Sequence, residues 1–356
     1  MIVITYGKEI VKNTYDTLKA SDINLYLNAN DNVSIKPNLV VSRPAHDGAT
    51  THPEVVEGII LFLKDSGVTK IKIIEGSWVG DSTKRAFKNC GYDDLSRKYN
   101  IPLVDLKSDK CTIRTHGEYK MEICDEALNT DFLINVPVLK AHCQTRFTCC
   151  MKNLKGCISE NEKRKFHSLG IHKPVAVLNT IIKTGYCVVD GICGDLSFEE
   201  GGTPVEANRI IAGRNPLTVD SYCAELIGFK PDEIGYLTHG KKLNVGEYYS
   251  QATKITKIIE RNPENKPVHE PKSGRTSDRY RRDIDENAAC SACYSSLIFA
   301  MHRLGGRMNG GEKIHIGQGF KDKTGDGIGI GNCAKGFKKS VPGCPPKATD
   351  IIDMLR

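Results

Sequence analysis

Apolar residues fall in short runs separated by polar turns, and the runs alternate between two periods. "NVSIKPNLV" from Asn32 reads as a strand entering a loop, "PEVVEGIILFLKDS" from Pro53 carries apolar positions at helical spacing, and "VTKIKIIEGS" from Val68 reads as a strand again. These three form a βαβ unit. Thr51 stands where an N-cap is expected, Pro53 lies in the first turn, Glu54 sits three residues on as in a capping box, and Gly67 marks the stop. The rhythm returns with the strand "DFLINVPVLK", the helix "HKPVAVLNTIIKT" and the strand "YCVVDGI", after an opening strand in "MIVITYG". Repeated alternation predicts an α/β fold: a largely parallel sheet flanked by helices.

After the helix "LTVDSYCAELIGF" the texture changes. Residues 240–285 are charged and poor in long apolar runs, so they read as an excursion or linker with one short helix near "ATKITKII". Beyond them come a helix in "CYSSLIFAMHRL", a strand and loop in "EKIHIGQGF" and a closing helix in "PKATDIIDML". The expected division is therefore 1–239 for the α/β domain, 240–285 for the excursion, and 286–356 for a smaller C-terminal cysteine-containing subdomain packed on the first.

Charge narrows the partners. The 50 basic and 43 acidic residues give a net +7, mixed along the whole chain, which favours a small anionic molecule and is too modest to indicate a nucleic-acid partner. No apolar run has membrane length and no signal peptide is visible, so the 14 cysteines point to a reducing, cytoplasmic setting in which clustered thiols serve metals or catalysis. Neither a GxGxxG turn between strand and helix nor a Walker loop is present, so no motif supports NAD or ATP.

Four cysteines stand out. Cys290 and Cys293 form CxxC at the start of a helix, Cys333 follows in the Gly-rich "GDGIGIGNC", and Cys344 lies in "GCPP". Glycine loops that wrap a bulky cofactor and the Cys-Pro step favour a [4Fe-4S] cluster. Structural zinc meets the same four thiols equally well, and redox-active or merely buried thiols complete the alternatives. Cys143, Cys149, Cys150 and Cys157 are by default small buried hydrophobes, yet they are close enough in sequence to serve a second metal or a thiol reaction.

Polar groups concentrate beside the predicted strand ends, where open α/β sheets bind ligands. Lys36 and Asn38 follow one strand, Lys140 and His142 another, and Asp190 a third, so parallel strands would bring them together. The lysines can hold a carboxylate or phosphate, or equally pair with acids at loop ends. His142 can donate a proton, ligate a metal or hold the backbone; Asp190 and Asp220 can orient a ligand or cap a loop.

The stretches "IKPNLV", "GATTHPEVVEGI", "LINVPVLKAHCQTRFTCCMKNLKG", "VVDGI" and "GTPVEANRIIAGRNPLTVDSYCAELIGF" resemble, in order, the family known as domain of unknown function 362, over roughly Ser34 to Tyr236. The resemblance implies an α/β fold and iron–sulfur association, often through a ferredoxin-like segment, but no substrate class. It marks Lys36, Pro37 and Asn38; Thr50, Thr51, His52 and Pro53; Lys140 and His142; Lys152, Asn153 and Gly156; Asp190; and Asp220. Here Cys143, Cys149 and Cys150 replace hydroxyl-bearing or small apolar residues, and the tail lacks regular ferredoxin spacing.

The expected function is an iron–sulfur oxidoreductase acting on a small anionic substrate. His142, Lys140 and Asp190 would be catalytic, Lys36, Asn38, Lys152, Asn153 and Asp220 would bind substrate, and Cys290, Cys293, Cys333 and Cys344 would hold the cluster. The alternatives are a non-catalytic electron carrier or redox sensor, a (de)hydratase with an open iron position, and a zinc-stapled binding protein. An electron-donor protein is the expected macromolecular partner.

Overall fold

A computed structural model describes residues 1–259, 270–305 and 312–356. Its strands in chain order are β1 (Ile2–Tyr6), β2 (Asn32–Pro37), β3 (Lys70–Glu75), β4 (Leu103–Asp105), β5 (Cys111–His116), β6 (Tyr119–Cys124), β7 (Phe132–Val136) and β8 (Lys140–His142). They continue with β9 (Arg146–Thr148), β10 (Tyr186–Asp195), β11 (Pro204–Gly213), β12 (Ile255–Ile259), β13 (Ile284–Glu286), β14 (Ile314–Ile316), β15 (Gly325–Ile330) and β16 (Phe337–Val341). The large sheet has the order β12-β1-β11-β10-β7-β2-β3-β4.

Successive residues of its inner strands face opposite layers. Leu133, Ile74 and Val189 join one apolar cluster, whereas Ile134, Ile73 and Val188 join the other. Both faces are covered, which explains why "FLINV" is buried at every position. β2, β3, β4, β7 and β10 run parallel, so their carboxyl ends lie along one edge.

The sheet is mixed where a largely parallel one was expected: β11 is antiparallel to both β10 and β1. The connection from Asp195 to Pro204 is too short for a crossover helix and can only reverse the chain. Asp195 organises this loop by accepting from Ser197 N, Phe198 N and Thr203 N at 2.7, 2.9 and 3.1 Å.

Two other expectations are corrected. The helix anticipated near "ATKITKII" is instead β12, an outer strand parallel to β1, so part of the 240–285 stretch joins the large sheet. Its β-branched residues and exposed Lys257 suit a sheet edge. Residues 260–269 of that stretch lie outside the described residues.

Thr51 is not the N-cap of the helix Pro53–Asp65; His52 occupies that position. Thr51 Oγ1 accepts from Asn38 N and donates to Val136 O, each at 2.8 Å, tying β2 to β7. The exposed N–H of His52 is taken instead by the Asp190 carboxylate at 2.7 Å. Gly67 does end this helix, in a left-handed conformation at φ 81°.

The C-terminal part is a parallel four-stranded sheet, β13-β14-β15-β16, with helices Ser291–Arg303 and Ala348–Leu355 sharing a core of Leu297, Ile298, Ile314, Ile330 and Ile351. Cys143, from the loop between β8 and β9, is buried in that core. The same loop grips the unit through hydrogen bonds: Gln144 Nε2 donates to Glu286 and Ala289 O at 2.9 and 3.0 Å, and Ser291 Oγ donates to Gln144 Oε1 at 2.9 Å. Among the described residues no helix is long and apolar enough to cross a membrane.

Candidate functional site

The carboxyl ends of β2 and β3 set a buried ion pair into the floor of a cleft. Lys36 Nζ lies 3.0 Å from Glu75 Oε2 and 3.1 Å from Oε1, and both side chains are almost wholly buried. Lys36 also donates to Pro37 O at 3.0 Å, while Glu75 accepts from Leu39 N and Gly76 N at 3.1 and 2.7 Å. These added bonds offset the cost of taking two charges out of water. Asn153 closes the floor: its Nδ2 donates to Asn135 Oδ1 at 2.8 Å, and its Oδ1 lies 3.4 Å from Lys36 Nζ. A Cβ on Gly156 would stand 2.3 Å from Glu75 Oε1 and 2.6 Å from Lys36 Nζ, so only glycine lets that loop pass.

Cations line the walls. Lys140 Nζ donates to Ala49 O and Glu199 O at 2.7 and 2.8 Å, and burial pushes its pKa down to about 8. Burial, aided by Lys163, also pushes Lys155 down to about 8. Lys152 is driven well below the usual lysine range by burial and by Lys155. Lys163 donates to Gly76 O and Ser77 O, both at 3.0 Å, and so holds the loop carrying Trp78. A depressed lysine pKa means that the folded chain binds fewer protons than the unfolded one. The contribution of Lys140 and Lys155 to stability therefore rises with pH from about 8 towards 10.5, and the cost of charging them is fully present below 8.

His142 is buried beside them. Its Nδ1 accepts from Gln144 N at 3.0 Å and Thr145 N at 3.3 Å, which places the proton of the neutral ring on Nε2. Nε2 faces Glu199 Oε1 at 3.7 Å, and Glu199 Oε2 accepts from Cys143 N at 3.0 Å.

The opposite wall comes from the C-terminal part. One cavity of about 450 Å3 is lined by Lys36, Asn38, Lys140, His142, Lys152 and Asn153 together with Cys290, Cys293 and Cys344; Val40, Val41, Trp78 and Val79 add an apolar side. Cys333 does not line it, but is near enough to act on the thiols that do: burial raises Cys290, and Cys333 and Cys344 raise it further. Burial and the other three thiols push Cys293 up to about 12. Gly331 turns the chain into Cys333 at φ 86°. These four thiols therefore lie close enough to act on one another, and cysteine sulfur is a ligand type that metals and iron–sulfur clusters take.

Asp190 and Asp220 are brought elsewhere. Asp190 is spent on His52, whose Nδ1 lies 2.8 Å from its carboxylate, and on Ile192 N at 3.0 Å. Asp220 accepts from Cys150 N and Met151 N at 2.7 and 2.9 Å. Neither lines the cavity.

Residues 33–225, more than half of the chain, match the family model described as domain of unknown function (DUF362). The chain belongs to this family. Within the DUF362 region lie all the cavity residues except those of the cysteine wall. A thylakoid-associated protein of Synechocystis sp. is 23% identical over 240 residues, covering 64% of this chain and 73% of that one. The lactate racemase apoprotein from Thermoanaerobacterium thermosaccharolyticum is similar with a TM-score of 0.43 and 13% identity, over 63% of this chain and 57% of the other.

Sequence reasoning missed Glu75, Lys155 and Lys163 as cavity residues of the DUF362 region. A carboxylate ending the apolar run "IKIIEG" was the available signal for Glu75; Lys155 and Lys163 gave none. A group of side chains that could hold a metal ion lies within the DUF362 region, outside the cavity lining: Cys149, Cys150 and Asp220, fully buried, with donor atoms within 4.8 Å of one another.

Proposed function

We propose that this protein is an iron–sulfur-dependent enzyme that binds a small anion in the cleft between its DUF362 region and its C-terminal part. The observation that carries this reading is the shared cavity: lysines, His142 and three of the four C-terminal cysteines face one space. Cys290, Cys293, Cys333 and Cys344 would hold a [4Fe-4S] cluster. Zinc is less favoured, because tetrahedral Zn–S bonds of about 2.3 Å require sulfurs only about 3.8 Å apart. The tight set of donors lies instead at Cys149, Cys150 and Asp220.

When bound, the cluster supplies or accepts electrons one at a time. The rest is done by side chains. Lys140 and Lys155 attract the anion, with Lys152 beside them as a hydrogen-bond donor. Lys36, neutralised by Glu75, fixes the floor rather than charging it. His142 Nε2 and Glu199 form the pair through which a proton can enter or leave the bound molecule. Val40, Val41, Trp78 and Val79 keep water from the apolar side. An electron-donor protein in a reducing, cytoplasmic setting would complete the system.

A second reading keeps the site and changes the chemistry. Cys344 is exposed, unlike the other three cysteines, and stands on the cavity wall. If its place at iron were open to substrate, the cluster would act as a Lewis acid for hydration or dehydration.

Sulfate is a suitable probe of the cleft because its charge is constant from pH 7 to pH 10. Calorimetric affinity is expected to fall, by up to about tenfold per pH unit for each lysine whose proton binding requires, as Lys140 and Lys155 lose their protons above about 8. A flat profile would contradict anion capture by these lysines. The paramagnetic resonance spectrum of the dithionite-reduced protein should also change on saturation with sulfate. An unchanged spectrum despite binding would favour a plain electron carrier.

A further inference from the structure

The core beneath the cavity holds thiols and a carboxylate in a geometry that packing alone does not require. Cys149 Sγ and Cys150 Sγ are 3.8 Å apart. Cys149 Sγ is also in hydrogen-bond contact with Cys223 and Asp220, and Cys150 Sγ with Cys187. All are fully buried. Two thiolates on one tetrahedral zinc, with Zn–S bonds of about 2.3 Å, stand about 3.8 Å apart, the spacing found here.

The acceptor inventory points the same way. The Asp220 carboxyl group is fully buried and has no ion-pair partner among the described residues. Its bonds from Cys150 N and Met151 N leave lone pairs free on both oxygens.

We propose that Cys149, Cys150 and Asp220, whose donor atoms already lie together, form a structural site for one Zn2+ that Cys223, in contact with Cys149, closes by moving inward as the fourth ligand. Binding releases the thiol protons to solvent and leaves three thiolates and one carboxylate on the ion. Thiolates suit zinc, and the carboxylate disfavours Cu(I), which prefers an all-sulfur set. No position is open to water, so the ion is a staple. It ties the helix Pro216–Leu226, which carries Asp220 and Cys223, to the short helix Cys150–Asn153, which carries Lys152 and Asn153 into the cavity.

Zinc-edge X-ray absorption on the full, unmutated chain, purified anaerobically from zinc-supplemented cells, tests the site directly. The expected result is about one zinc per chain with three sulfur neighbours near 2.3 Å and one oxygen near 2.0 Å. No bound zinc, or a four-sulfur shell, overturns the proposal. A variant with Cys290, Cys293, Cys333 and Cys344 all changed to Ser should keep its zinc, and Asp220→Asn combined with Cys223→Ser should lose most of it. Loss of zinc in the first variant, or full retention in the second, places the ion elsewhere. Iron content is read in the same samples, so this result stands apart from the cluster assignment.

Discussion

Glu75→Ala is expected to destabilise the protein by about 3–5 kcal/mol, the cost of leaving a buried charge without its partner. Lys36 would remain almost wholly buried at the ends of β2 and β3 with its counter-charge gone, and Leu39 N and Gly76 N would lose an acceptor. The companion variant separates stability from function. Lys36→Met with Glu75→Leu replaces the pair by apolar groups of similar size and should recover most of the loss, because such swaps are often neutral or stabilising. Urea unfolding checks both through the midpoint at constant slope. A loss below about 1 kcal/mol in Glu75→Ala would mean that the pair is hydrated and does not form the floor described above.

Cys290→Ser is expected to strip most of the iron from the protein, while Cys149→Ser leaves iron unchanged. The contrast follows from position. Cys290 starts the helix Ser291–Arg303, with Cys293 one turn on and the Cys333 and Cys344 loops facing both. Cys149 lies fully buried in the core of the large sheet. Cys344→Ala distinguishes the two chemistries proposed for the cleft. If four thiolates are required, it loses or converts the cluster; if that position is open to substrate, iron loading survives. Iron analysis after anaerobic purification reads all three variants. Iron lost from Cys149→Ser and kept in Cys290→Ser would reverse the assignment.

Much of the fold was legible because local pattern and tertiary role coincide in it. β2, the helix Pro53–Asp65 and β3 follow from a change of period, and parallel strands then bring Lys36, Asn38, Lys140 and His142 to one edge. What the pattern does not contain is the identity of partners distant in sequence. Thr51 looks like a cap, but Asp190 takes that role from the middle of β10. Lys36 looks like a ligand group, but a carboxylate 39 residues away neutralises it. β12 looks helical by its mixed lysines and isoleucines, and becomes a strand because β1 offers it an open edge. Asp220 is drawn away from the cleft by two backbone N–H groups beside Cys149. The convergence of the C-terminal cysteines on the cavity depends on how the loop Cys143–Arg146 grips the second unit, a contact that no local spacing encodes.

The proposed function stands on a cleft that joins anion-binding lysines to a [4Fe-4S] cluster held by Cys290, Cys293, Cys333 and Cys344. Its most direct test is joint iron, zinc and acid-labile sulfide analysis of the anaerobically purified chain, repeated on the variant with those four residues changed to Ser. The expected result is about four irons and four sulfides per chain, both absent from the variant. Stoichiometric zinc without sulfide, lost in the same variant, would contradict it.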